Sequence, residues 1–196
     1  NPVDQLVFNS LISSLTLDFV SRQKVGGTHL TYNYFKQLPI LIFSSISKIT
    51  KKEIVSISIE LIYSSWDIKA FTDELWEEAD QDLRNAIEVQ WEENRAETGG
   101  HRLDLPEWKN AYPEIAWEKE KGCPLPPFKW DEKRRARLKA ELDAYFALLY
   151  GLERDELRYI LDPQDVYGDE FPGETFRGLK EKDIRKFGEY RTRRLV

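Results

Sequence analysis

The chain of 196 residues contains no methionine, a single cysteine and two histidines. A lone Cys123 excludes an internal disulfide framework and a cysteine-based zinc centre, and it fits a reducing, cytoplasmic setting. His29 and His101 each lack a second ligand three or four residues away, so both read as structural or surface residues rather than metal ligands. No apolar run reaches the roughly 20 residues that span a bilayer, and no secretory signal is visible. A phosphate-binding glycine loop and a dinucleotide fingerprint are also missing. The absence of methionine, with first residues that read like the inside of a helix, points to a piece of something longer. Asp67-Ile68-Lys69 and Asp131-Glu132-Lys133 resemble the carboxylate–spacer–lysine end of metal-dependent nuclease sites. Such triplets arise by chance in a chain that is 33% charged.

Aromatic residues make up 13% of the chain, with six Trp, which argues for a folded protein. The charge content and a mean hydropathy of -0.58 argue for a soluble one, of one or two domains. The net charge of -6 is unevenly spread. Residues 1–68 carry 6 basic and 5 acidic side chains, residues 69–122 carry 7 and 15, and residues 123–196 carry 16 and 15. The acidity thus belongs to a middle block, and a local basic surplus follows Arg177.

The periodicity predicts a helix over 3–20, with Leu6, Val7, Leu11, Leu15 and Phe19 inward. Thr50-Lys51-Lys52-Glu53 reads as a capping box opening a helix to about Tyr63, although its β-branched residues leave a strand open. A single helix is expected over 72–96, its outer face nearly all acidic, closed by Gly99-Gly100. Pro106, Pro113, Pro124, Pro126 and Pro127 exclude long regular structure over 101–130. Trp108, Trp117, Phe128 and Trp130 imply that this segment is nevertheless ordered. Asp131 opens the clearest helix, ended by Gly151, and a short one follows before Pro163. A last helix over 175–190 would turn Phe176, Leu179, Ile184 and Phe187 inward.

Arg22 to Leu41, RQKVGGTHLTYNYFKQLPIL, combines cations, a Gly26-Gly27 pair and an aromatic run. Val25, Leu30, Tyr32, Tyr34 and Phe35 look more like strand than helix, and the glycines permit positive φ or close approach. The segment reads as a glycine-kinked strand flanked by Arg22, Lys24 and Lys36, either a phosphate-facing edge or a tight turn. The fold class expected is therefore α+β, predominantly α-helical, with a small β element near the N-terminus and a Pro/Trp-rich irregular segment. The division expected is 1–68 and 69–196.

This stretch, from Asp18-Phe19-Val20-Ser21-Arg22 through Leu30, resembles the target-recognition region of large bacterial adenine-N6 DNA methyltransferases. That family includes fused type IIG restriction–modification enzymes and related phage-defence methylases. Thr31 stands where Asn is usual, and Phe43-Ser44 replaces the usual prolines. The resemblance continues through residues 61–67 (LIYSSWD), 90–95 (QWEENR), 123–130 (CPLPPFKW), 149–152 (LYGL) and 189–194 (EYRTRR). It covers essentially the whole chain and places it in the C-terminal part of such proteins.

The resemblance implies double-stranded DNA and an upstream methyltransferase domain of the same chain as partners, with no membrane. It implies S-adenosylmethionine for the parent, with or without a fused endonuclease, but no cofactor in this fragment and no catalytic residue. The Asn/Asp-Pro-Pro-Tyr/Phe motif of that family is missing. Leu125-Pro126-Pro127-Phe128 lacks the polar side chain that would accept an adenine amino group. The first candidate DNA contacts are Arg22, Lys24, Gly26, Gly27, Thr28, His29 and Lys36. The second set is Arg177, Lys180, Arg191, Arg193 and Arg194. The competing expectation is a helical module that docks on a protein partner without touching DNA.

Overall fold

A computed structural model describes residues 1–27, 29–100, 122–172 and 175–196. Eleven α-helices are named here: α1 (Pro2–Ile12), α2 (Leu15–Lys24), α3 (Tyr32–Phe35), α4 (Lys48–Ile62), α5 (Lys69–Glu78), α6 (Gln81–Thr98), α7 (Glu132–Leu149), α8 (Arg154–Leu161), α9 (Gln164–Tyr167), α10 (Arg177–Phe187) and α11 (Arg191–Leu195). Short 3₁₀ turns occupy Phe43–Ser45 and Trp66–Ile68. Among the described residues there is no strand, and no helix is long and apolar enough to cross a membrane.

The expected β element is therefore corrected: the described chain is all-α. Ser14 caps α2, its side chain accepting from the Leu17 amide, and α2 runs as far as Lys24. Tyr32–Phe35 forms a single helical turn. A strand needs a hydrogen-bonding neighbour for its backbone, and the other β-branched runs are consumed by helices. Gly26 and Gly27 are not at positive φ, and no heavy atom lies within 4 Å of where a Cβ would sit on either. Neither conformational reason for the pair is met in the folded chain.

Two compact units are each drawn from separated stretches of chain: Asn1–Phe8 with Ser47–Arg135, and Asn9–Ile46 with Ala136–Val196. The first is organised on α4. Its cap is Ser47, three residues before the expected Thr50, and the Ser47 hydroxyl accepts from the Thr50 amide at 3.1 Å. Every residue from Ile54 to Glu60 is buried. Full burial of each Ile or Val is worth about 1.5–3 kcal/mol, against the few tenths of a kcal/mol that a β-branched residue costs a helix. Packing decides the helix. Ser56 and Ser58 hydroxyls donate back to the Glu53 and Ile54 carbonyls, so their burial leaves no donor unpaired.

The expected helix over 72–96 is two helices. Asp80 accepts from the Leu83 amide at 2.9 Å and caps α6, while the Arg84 guanidinium donates to the Trp76 carbonyl at the end of α5. Gly99, at φ 76, closes α6. Of the proline-rich segment, residues 122–130 are irregular backbone held by named contacts. The Phe128 amide donates to Tyr63 O at 2.8 Å, and Trp91 Nε1 donates to Pro126 O at 2.9 Å. Pro106, Pro113, Trp108, Trp117 and His101 lie outside the described residues.

The helix expected over 3–20 is broken at Ser13-Ser14 into α1 and α2, of which α2 belongs to the second unit. Asp143 of α7 accepts from the Leu15 amide at 2.7 Å, and Phe19 meets Tyr159 of α8 edge-on at 6.1 Å. Leu138, Leu142 and Phe146 of α7 are buried and Tyr145 and Leu149 half-buried, and Gly151 at φ 72 ends that turn of chain. On α10 the expected inward face is partly reversed. Phe176 is buried, but Ile184 is 47% exposed and Phe187 39%. The buried position is Asp183, whose carboxylate accepts from the Thr192 amide at 2.7 Å and hydroxyl at 2.8 Å and so caps α11.

Candidate nucleic-acid interface

All described candidates for DNA contact lie in the second unit; Thr28 lies outside the described residues. Two patches far apart in sequence meet there. The Arg22 guanidinium, in the last turn of α2, stands 5.5 Å from the ring centre of Phe176, next to Arg177. Gln23 Nε2 reaches Thr175 Oγ1 at 3.4 Å. Arg22 pairs with Asp18 and Arg177 with Glu181, both at 2.9 Å and both solvent-exposed. Exposed helical pairs of this spacing are worth about 0.3–0.5 kcal/mol, so a phosphate competes with them easily.

Lys180 and Arg193 are held differently. Lys180 Nζ lies 2.8 Å from Asp162, whose side chain is buried. Arg193 is 3.7 Å from Asp162 and 2.8 Å from Asp165, and Arg158 is 2.8 Å from Asp165 as well. Hydrogen bonding from Arg158 holds the Asp165 carboxyl below its ordinary value. These contacts fasten α8 and α9 to α10 and α11. Releasing Lys180 or Arg193 to a phosphate would strand buried charge. Both side chains are tied into the fold by these pairs.

The remaining cations sort by partner. Lys36 lies 4.3 Å from the ring centre of Tyr32, Arg191 4.7 Å from that of Phe187, and Arg194 is paired with Glu189 through both carboxylate oxygens. Lys24, Lys182 and Arg185 are exposed and form no ion pair among the described residues. Lys182 and Arg185 were missed in the sequence, although their signal is visible in retrospect. They flank Asp183, so once that residue turns inward its neighbours project outward. His29 is exposed.

The charge divides along the units. The first has 14 basic and 21 acidic residues, the second 15 and 14, and residues 177–196 alone carry 8 and 3. The net charge of the chain therefore misrepresents the surface around α10 and α11.

Among the described residues, the motifs weighed as catalytic in the sequence are engaged in packing. Pro126, Pro127 and Phe128 are buried, the Pro126 carbonyl is taken by Trp91, and the Phe128 ring packs edge-on against Tyr63. Pro126, Pro127 and Phe128 of Leu-Pro-Pro-Phe thus belong to the core. Lys69 of the first nuclease-like triplet pairs with Asp73, not Asp67, and donates to Cys123 O. Among the described residues no group of three or more His, Cys, Asp or Glu could hold a metal. Burial pushes the Cys123 thiol up to about 11, leaving it protonated and unreactive at neutral pH.

The most polar buried cluster is also structural. Glu60, 2% exposed, accepts from Gln90 at 2.6 Å, from Asn94 at 2.9 Å and from Arg134 at 2.7 and 3.0 Å. Burial works against the Arg134 charge, but hydrogen bonds to Glu60 and Glu97 outweigh it and raise the pKa. Asn94 also clamps the backbone of Lys129, accepting from its N–H and donating to its carbonyl, each at 3.0 Å. Segments 90–95 and 123–130, both part of the resemblance, are thereby packed on one another. Compared with known proteins, the chain matches no family model, no curated protein and no solved structure.

Proposed function

We propose that the chain is the DNA-recognition and helical C-terminal portion of a large adenine-N6 DNA methyltransferase or restriction–modification protein, working in the cytoplasm. By itself it is non-catalytic. S-adenosylmethionine and the methyl transfer belong to the parent's methyltransferase domain, where the target base is flipped. The observation that carries the DNA reading is the exposed pair Lys182 and Arg185, without an ion pair among the described residues, in a unit that also gathers Arg22, Lys24, Lys36, Arg177 and Arg191.

A gel shift with duplex DNA across a salt series tests it. Binding should weaken with salt, and each phosphate contact contributes about 0.9 to the log–log slope. Lys182→Glu with Arg185→Glu should reduce both affinity and slope. No binding at low salt, or binding without a salt slope, would sink the reading. The rival, a helical module that docks on a protein without touching DNA, draws on the outer face of α6, where Glu88, Glu92 and Glu93 surround an exposed Val89. That reading predicts no gel shift and a complex with the methyltransferase domain instead.

A further inference from the structure

Residues 29–37 are exposed almost throughout, with Phe35 the half-buried exception. Tyr32 is 70% exposed and Leu30 53%, and Asn33 and Tyr34 are also exposed. Large side chains left facing water so close together make the segment a candidate contact surface. The segment is nonetheless tied at both ends. Leu38 is buried and the Tyr150 hydroxyl donates to Pro39 O at 2.6 Å, while Phe19 fixes α2 against Tyr159. A short segment carried on packed helices is positioned rather than trailing.

Its charge selects the partner. Within the second unit the chain contains no Asp or Glu from Phe19 to Ile46, while Arg22, Lys24 and Lys36 bracket the exposed residues. Those 28 residues hold no carboxylate to repel a polyphosphate backbone, and their cations attract one. Within that frame the side-chain types suit base edges. The Asn33 amide has no hydrogen bond among the described residues, and amides pair bidentately with adenine in the major groove. Tyr34 offers a ring face and a hydroxyl, and Lys36 covers one side of Tyr32 at 4.3 Å.

We infer that Tyr32, Asn33 and Tyr34 form a base-contacting edge, with α10 and α11 supplying phosphate contacts. The inference rests on the DNA reading above and assigns the division of labour within it. Gln37 gives one of its two amide hydrogens to the Asn33 carbonyl at 3.0 Å, bracing the turn that carries these residues.

The test is photocrosslinking of the full chain to duplex DNA substituted with 5-iodouracil, followed by mapping of the crosslinked peptide. Crosslinks are expected on Tyr32 or Tyr34. Asn33→Ala and Tyr34→Ala should each weaken binding by at least about fivefold while leaving the salt slope unchanged, because base contacts release no counterions. Both sites are exposed, so thermal unfolding should not move. Bound DNA that crosslinks only elsewhere overturns the inference and spares the DNA reading. So does unaltered affinity in both variants, or a loss of affinity that comes with a smaller salt slope. Variants that keep DNA affinity but lose association with the methyltransferase domain assign the edge to a protein contact instead. Failure of the unsubstituted chain to bind DNA overturns both.

Discussion

Glu60 and Arg134, 74 residues apart, make a two-point ion pair in the interior of the first unit, Nε to Oε1 at 2.7 Å and Nη2 to Oε2 at 3.0 Å. Arg134 is only 5% exposed, and each of its three guanidinium nitrogens is engaged, with Glu97 at 2.8 Å and Glu93 at 3.4 Å beside Glu60. Such a pair does not by itself imply high stability, because desolvation offsets most of the attraction. It makes the two residues interdependent.

Removing one partner should therefore cost more than removing both. Arg134→Met leaves Glu60 buried and charged, and the expected loss is about 3–5 kcal/mol. Glu60→Leu combined with Arg134→Met should recover a substantial part of it. Urea unfolding of the singles and the double closes the cycle, and strictly additive losses would refute the interdependence.

Among the described glycines, Gly122 is the one whose replacement should cost most. Its φ is +74, and a Cβ there would run into the Asp73 carboxylate, which itself accepts from the Cys123 amide at 2.8 Å. Gly151 has nearly the same φ, +72, but nothing within 4 Å of the added atom. Both Ala variants share a backbone strain of about 1 kcal/mol. Gly122→Ala should exceed Gly151→Ala by at least about that amount again, measured by thermal or urea unfolding.

Helices with clear stripes and stop signals were legible in the sequence. α7 is the best case, with Leu138, Leu142 and Phe146 inward and Gly151 at its end. What misled was local preference acting without tertiary context. Tyr32, Tyr34 and Phe35 favour a strand intrinsically, but no neighbouring strand exists among the described residues to pair with. Thr50 and Glu53 fit a capping box, yet Ser47 supplies the cap one turn earlier. Of the candidate site, the cationic segments were visible but their pairing was not. That Asp162 and Asp165 claim Lys180 and Arg193 depends on contacts between α8, α9, α10 and α11, which spacing along the chain does not encode.

Asp143 gives the second unit a pH dependence. Burial raises its carboxyl from 3.8 to about 7, against the opposing effects of the Leu15 amide and Lys139; Asp18 adds to the rise. The folded state thus binds a proton that the unfolded chain releases near pH 4. The protonated carboxyl's contribution is complete below the unfolded pKa and is lost as pH rises through the folded one. Stability should fall between about pH 4 and pH 7 and level off above. Asp143→Asn still accepts from the Leu15 amide but does not titrate, so its profile should be flatter over this window and its advantage greatest above pH 7. Equal slopes for the two proteins in urea unfolding across that range would reject the assignment.

Lys180 tests whether charge near a candidate interface is functional or structural. Its ammonium satisfies Asp162 at 2.8 Å and also donates to Gln164 Oε1 at 3.2 Å, so Lys180→Ala leaves a buried carboxylate whose remaining ion pair among the described residues is the longer one to Arg193. Removing one partner of such a buried pair should destabilise the unit by about 3 kcal/mol. Lys182→Ala, two residues on and solvent-exposed, should change stability by less than about 0.5 kcal/mol. DNA binding should show the reverse order: the slope of affinity against salt falls for Lys182→Ala and holds for folded Lys180→Ala. A shared slope loss would mean that Lys180 reaches phosphate despite Asp162, and α10 would then have to shift on binding.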